Sequence, residues 1–163
     1  MSMLHTHEEI KVWLDDHNIT TYTIRPDGIV DVDGNLILRN VAESSIPVQF
    51  GRVTGYFRCA NTNLISLKGA PYSVVGGGVF CSQTKIKSLS GVDKIIKEMD
   101  GVFMCNAAVT HLLGLLLIKG VVHISIDNGG PIDKIFNKYV GTGDILSAQD
   151  ELIDAGLIDQ ARL

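Results

Sequence analysis

The chain has 163 residues, 45% of them hydrophobic and 20% charged, with a formal net charge of −4. A chain of this length buries roughly 70% of its unfolded surface and needs no disulfide or metal as a staple, and 17 glycines against four prolines, with no Ser-rich or Pro-rich linker, favour tight corners within a single domain (1–163) over disorder. The acidic balance opposes general binding to nucleic acid, whose affinity comes largely from basic residues that neutralise phosphates.

The first residues, Met1 to Glu9, lack the basic and then apolar layout of a secretion signal, and the apolar run at 112–118 is far short of the ~20 residues that span a bilayer. A cytoplasmic location with no membrane contact is expected, and three cysteines in such a chain fit a reducing compartment. Thr6 with Glu9 three positions later makes a capping box. Ile10, Trp13 and Leu14 follow at helical spacing, which predicts a short amphipathic helix ending near Asn18. Residues 22–24 and 29–32 read as strands joined through Pro26-Asp27-Gly28. Residues 1–33 are thus expected to form an N-terminal cap of one helix plus strands.

A repeat then sets in. Gly55-x-Phe57-x-Cys59-x-x-Thr62-x-Leu64-x-Ser66-Leu67-x-Gly69 returns as Gly77-x-Val79-x-Cys81-x-x-Thr84-x-Ile86-x-Ser88-Leu89-x-Gly91. Anchored on its first cysteine, the period runs through Leu38, Cys59, Cys81, Cys105 and Ile126 in steps of 21, 22, 24 and 21 residues. Glycine stands four positions before each anchor except the last. Each anchor ends an apolar-x-apolar pair (Leu36, Phe57, Val79, Phe103 and Ile124 begin them), the mark of a short strand with one buried face. Eight positions after the anchor, Ile46, Leu67, Leu89 and Leu113 supply a second inward residue on the return side. After Cys105 the pattern slips by one, as a single deletion in a loop would cause. A period near 20 residues means a solenoid, whose coils are too small to bury an apolar face alone and must stack. The expected core of the chain is about five short parallel rungs over residues 34–128. Pro131 suits the first turn of a helix with Ile132, Ile135, Phe136 and Tyr139 inward, and Asp144 can open another that stops at Gly156, so residues 129–163 are expected to be a helical C-terminal cap.

If the rungs are in register, Cys59, Cys81 and Cys105 stack inward at about 5 Å, the spacing of paired strands. A metal site would need four soft ligands in a closed arrangement, and no C-x-x-C or nearby His pair completes one. A disulfide is geometrically allowed at such a separation; reduced cysteines acting as small apolar core residues fit the pattern best. Other chemistry is sparse. Gly76-Gly77-Gly78 reads as a coil corner, and no phosphate-cradling Gly-x-x-x-x-Gly-Lys occurs. Asp31-x-Asp33-x-Asn35 opens like a calcium loop, but Leu36 and Ala42 stand where that loop needs glycine and a bidentate glutamate. His5 and His7 belong to a solvated N-terminus. Cys105 with His111 or His123 would invite nucleophilic catalysis, yet parity places Cys105 inward and His123 outward. No catalytic residue, metal or cofactor is expected, and the chain reads as a non-enzyme.

The same parity defines the face left over. With Phe57 and Cys59 inward, Tyr56 and Arg58 point out, and so, rung by rung, do Ile37, Arg39, Phe80, Ser82, Met104, Asn106, His123, Ser125 and Asp127. Phe and Met in the outward row are unusual on a solvated sheet and mark an interaction surface, and Tyr, Phe, Met and Arg are enriched at interface cores. The candidate partner-binding residues are Ile37, Arg39, Tyr56, Arg58, Phe80, Met104, Asn106 and His123. The competing expectation is that a loop, the N-terminal segment or a second copy covers this face.

The repeat resembles the leucine-rich repeat L-x-L-x-x-N-x-L-x-x-L, with cysteine often in the second leucine slot and Thr62 and Thr84 in the asparagine slot, where a polar side chain can bond the backbone of the neighbouring coil. Val41 and Ala108 occupy that slot in other coils, and 115–118 replaces the Gly69-Ala70-Pro71 type of ending. More narrowly, through Asn63-Leu64-Ile65-Ser66-Leu67-Lys68-Gly69-Ala70-Pro71, the segment 22–36 and the segment 143–156, the chain is similar over nearly its whole length to short leucine-rich-repeat-like proteins of large tailed bacteriophages. That resemblance implies a viral protein acting in the host bacterial cytoplasm. It implies a non-enzymatic interaction module that binds a host protein during takeover or counter-defence. The alternative is a self-associating structural or virion-assembly protein, in the simplest case a homodimer, and the third reading is a metal- or thiol-dependent hydrolase.

Overall fold

Helix α1 (His7–Asp16) begins as predicted: the Thr6 hydroxyl accepts from the Glu9 N–H at 3.1 Å and the Glu9 carboxylate accepts from the Thr6 N–H at 3.1 Å, each residue satisfying the other. A computed structural model describes residues 2–163. Ile10, Trp13 and Leu14 are buried along one side of α1, and the chain leaves it through Asn18 in the left-handed region at φ 57°. Strand β1 (Tyr22–Ile24) then pairs antiparallel with β2 (Val30–Val32). Arg25 forks onto Asp31 across that hairpin at 2.6 and 2.8 Å.

From β2 onward every strand pairing is parallel, and the chain winds a β-solenoid of five turns. The first turn holds β2 and β3 (Leu36–Ile37), and the second holds β4 (Phe50–Val53) and β5 (Phe57–Arg58). In the third these halves fuse into one bent strand, β6 (Ser73–Phe80), whose start pairs with β4 and whose end pairs with β5. Next come β7 (Glu98–Met104) and β8 (Lys119–Ser125). Each rung is therefore twice as long as the apolar-x-apolar pair indicates. Because β2 pairs parallel with β4, the first turn starts at Val30, and the boundary expected at residue 33 falls inside it.

One core fills the coil. Phe57, Cys59, Val79, Cys81 and Phe103 are wholly buried on the strand side, and Ile46, Leu67, Leu89 and Leu113 on the return side. Glycine precedes the anchors for two reasons: Gly34, Gly77 and Gly101 sit at φ 111°, 121° and 109°, a region open mainly to glycine, and at Gly55 and Gly101 a Cβ would stand 2.6 Å from the Gly34 carbonyl carbon and the Gly77 carbonyl oxygen of the preceding coil. The fifth coil has Val122 at this place and escapes by a bulge. Gly101 pairs with Val121 and Val102 with His123, so Val122 is skipped and left exposed.

Two corner details differ from expectation. Thr62 and Thr84 bond within their own coil, each hydroxyl donating to the carbonyl three residues back, at 2.7 Å to Cys59 and 3.0 Å to Cys81. That geometry closes the corner after the strand, so neither hydroxyl donates to a neighbouring coil, and Thr84 only accepts there, from the Asn106 side chain at 3.3 Å. The slip in the fourth coil is also larger than one residue. Phe80 pairs with Met104, 24 positions on, whereas Ser88 pairs with Thr110, 22 positions on, and the apolar run that follows winds as a 3-10 helix, Leu113–Leu117. A four-residue helix, α2 (Val92–Ile95), precedes β7.

After β8 come α3 (Pro131–Tyr139), with Pro131 in its first turn, and α4 (Ile145–Asp154), where Asp144 accepts from the Ser147 N–H at 3.1 Å. Helix α3 lies against β8. The Asn137 side chain accepts from the Ile124 N–H at 2.8 Å and donates to the Ile124 carbonyl at 2.7 Å, and Asp133 accepts from the Ile126 N–H at 2.6 Å. Among the described residues no helix is long and apolar enough to cross a membrane.

Candidate binding face

The outward row runs unbroken across all five turns. Ile37 stands opposite Arg58, Arg58 opposite Phe80, Phe80 opposite Met104 and Met104 opposite Ser125. Their chain neighbours on the inward side are buried, whereas Ile37, Phe80 and Met104 are half-buried and Arg39 and Arg58 are exposed. Tyr56 meets Phe80 edge to face, with ring centroids 6.0 Å apart and planes at 88°, an arrangement that sets the positive edge of one ring against the negative face of the other. His123 is exposed in β8 beside Val122. Asn106 is in the outward position too, but its side-chain nitrogen donates to the Thr84 carbonyl at 3.1 Å and its oxygen accepts from the Gln83 N–H at 2.6 Å. It bridges the third and fourth coils, its nitrogen also reaching the Thr84 hydroxyl at 3.3 Å.

The Asp31-x-Asp33-x-Asn35 run positions one edge of this face. Asp31 accepts from the Arg52 N–H at 2.7 Å, Asp33 from the Thr54 hydroxyl at 3.2 Å and Asn35 from the Tyr56 N–H at 3.0 Å. Every second residue of the first turn thus clasps the turn above it. The guanidinium of Arg25, and the N–H of Arg52 after it, hold the Asp31 carboxyl below the ordinary carboxylate value in spite of burial.

Charge gathers at the same edge. The ion pairs among the described residues are Lys11–Asp15, Arg25–Asp31, Lys138–Glu151 and Arg162–Asp159; Arg39 and Arg58 take part in none. Both line a groove of about 440 Å³ with Ile37, Asn40, Tyr56 and Asn61. A second cleft of about 440 Å³ adjoins it between Ile37, Arg39 and Asn40 and the end of α1 at Asp16, His17 and Asn18. Sequence reasoning passed over Asn40 and Asn61. They hold the left-handed corner two positions after the anchor, with φ of 55° and 60°, as do Gln83 and Asn128 at 57° and 53°. Asparagine tolerates that region better than most side chains, so asparagine recurring at anchor plus two was the available signal.

Behind the face lies the cysteine ladder. Cys59, Cys81 and Cys105 are reduced and buried, the Cys81 thiol donating to the Met104 carbonyl at 3.2 Å. Burial pushes the Cys59 and Cys81 thiols well above their ordinary value. Cys105 is buried in the core and His123 is exposed, so the two lie on opposite sides of the sheet.

Compared with known protein families, with curated proteins and with solved structures, the chain matches none. The arrangement offers two guanidinium forks, an edge-on aromatic pair and half-buried apolar side chains on one surface, which is chemistry for recognition.

Proposed function

We propose that this chain is a non-enzymatic protein-binding module whose outward strand face takes a protein partner through Ile37, Arg39, Tyr56, Arg58, Phe80 and Met104, with Asn106 and His123 at its flank. The observation that carries the reading is the coincidence, on one face, of two arginines without carboxylate partners and the Tyr56–Phe80 pair. Arginine and aromatic side chains are the usual anchors of binding energy at protein interfaces. The similarity to short leucine-rich-repeat-like phage proteins supplies the biological half: the partner is a host protein met in the bacterial cytoplasm. In the same reading the coil is leucine-rich-repeat-like, with α3 and α4 as its C-terminal cap, because Asn137 and Asp133 fill hydrogen-bonding positions that a sixth rung would otherwise take.

The test is affinity capture from bacterial lysate with the wild-type chain beside a folded Phe80→Asp, Arg58→Glu variant. A host protein held by the wild type and lost by the variant is the expected result; capture that the variant leaves unchanged would remove the site from this face. A second reading, self-association, is favoured by Leu146 and Ile153, which lie seven residues apart on one side of α4 and are 74% and 47% exposed. Light scattering separates the two, since the first reading gives the mass of a monomer and the second that of a stable oligomer.

A further inference from the structure

We propose that the free edge of β3 is a slot in which an extended, acidic segment of the protein partner adds as a further strand; this rests on the protein-binding reading above and names the chemistry it uses. Strand β3 is the last on its side of the sheet. The N–H groups of Leu36 and Leu38 donate to the carbonyls of Tyr56 and Arg58 in the next turn, at 2.9 and 2.8 Å. Successive N–H groups of a strand point to opposite sides, so those of Ile37 and Arg39 point away from β5. No acceptor among the described residues takes either one.

The other half of the same turn is closed differently. There β1 pairs with β2 along its length, and the bond from the Asp33 N–H to the Thr21 carbonyl at 2.9 Å marks where that cover stops. Beyond it the chain turns off through Asn18 into α1 and leaves the cleft between Asp16, His17 and Asn18 and the β3 edge. His17 is fixed in that wall, stacked on Trp13 at 4.0 Å with its Nδ1 2.7 Å from the Trp13 carbonyl oxygen.

Charge selects the occupant. Alternate side chains of an added strand emerge on the outward face, beside Arg39 and next to Arg58, which stands opposite Ile37. These arginines have no carboxylate of their own, and the one carboxylate lining the cleft is Asp16. A guanidinium fork binds a carboxylate through two parallel hydrogen bonds, while main-chain pairing to Ile37 and Arg39 supplies affinity independent of sequence. An exposed strand edge is normally blunted by a charged side chain; Arg39 does this toward neutral and basic strands and admits acidic ones.

The experiment titrates the isotope-labelled full chain with a short peptide alternating threonine and glutamate, and separately with its threonine–lysine counterpart, reading amide shifts and hydrogen exchange. The glutamate peptide is expected to shift and protect the Ile37 and Arg39 amides, the lysine peptide to leave them unchanged, and Arg39→Glu to weaken the glutamate peptide about tenfold or more without lowering the melting temperature. Unchanged Ile37 and Arg39 amides at millimolar peptide, or equal binding of both peptides, would overturn the proposal. Changes confined to Phe80 and Met104 would overturn it too while leaving the strand face as the binding site. Edge protection by the glutamate peptide together with capture that ignores Phe80→Asp, Arg58→Glu would sustain the slot and sink the broader face.

Discussion

Asp133 is almost fully buried. Burial would push its carboxyl up, but the N–H groups of Gly129, Ile126 and Asp127 converge on it and hold it below the ordinary carboxylate value. A carboxyl depressed on folding contributes stability above its unfolded value, near 4, and loses it as pH falls through the lower folded value. Stability measured by urea unfolding should therefore drop as pH is taken below about 4, and Asp133→Asn should be less stable at neutral pH with a shallower acid slope; an unchanged slope would show that Asp133 is not part of the acid transition. The cysteines give a second expectation at this scale. Thiols held protonated by burial are inert, so a disulfide-exchange reagent should label neither Cys59 nor Cys81 in the native chain and both of them in urea. Rapid native labelling would mean the ladder is open to solvent. Gly78 gives a third. It sits at φ 128°, and a Cβ there would lie 2.2 Å from the Val102 carbonyl oxygen, so Gly78→Ala should cost about 2 kcal/mol or more, whereas Gly34→Ala, at φ 111° with nothing within 4 Å, should cost less.

Among the elements, α3 against β8 is the pairing whose chemistry is most specific. One Asn137 side chain satisfies both polar groups of Ile124, so Asn137→Ala strands a donor and an acceptor at the end of the sheet and should destabilise the chain by about 2 kcal/mol, with faster exchange of the Ile124 amide; protection that survives the substitution would mean other groups close that edge. The sequence made the second half of each rung readable because anchors such as Phe57-x-Cys59 alternate cleanly and recur. It hid the first half. Phe50-Gly51-Arg52-Val53 contains a glycine that breaks the alternation, and the pairing of Val32 with Val53 and Val53 with Val74 shows only as valine repeated 21 positions apart. Helix α1 was readable from local chemistry alone, since a capping box acts within four residues. Helix α2 and the 3-10 turn Leu113–Leu117 were not, because packing under the return side, more than local preference, shapes such short segments. The outward row followed from parity, but the edge of β3 beside α1 did not, because nothing local says where β1 stops covering the first turn.

As a whole the molecule is a short stack whose turns depend on one another: Phe57 packs under Val79 and Val79 under Phe103, and no turn carries enough apolar surface to stand alone. The proposed function follows from the two sides of every rung, one joined into the common core and one facing outward. The measurement that tests this most directly is urea unfolding of Phe80→Asp beside Phe57→Asp. Phe80 is half-buried and loses mainly its edge contact with Tyr56, so its substitution should cost about 1 kcal/mol and leave a cooperative transition. Phe57 is wholly buried, and a carboxylate there has no partner, so its substitution should cost more than about 4 kcal/mol and abolish the transition. Equal destabilisation by the two would contradict the assignment of core and offered sides, and with it the binding face.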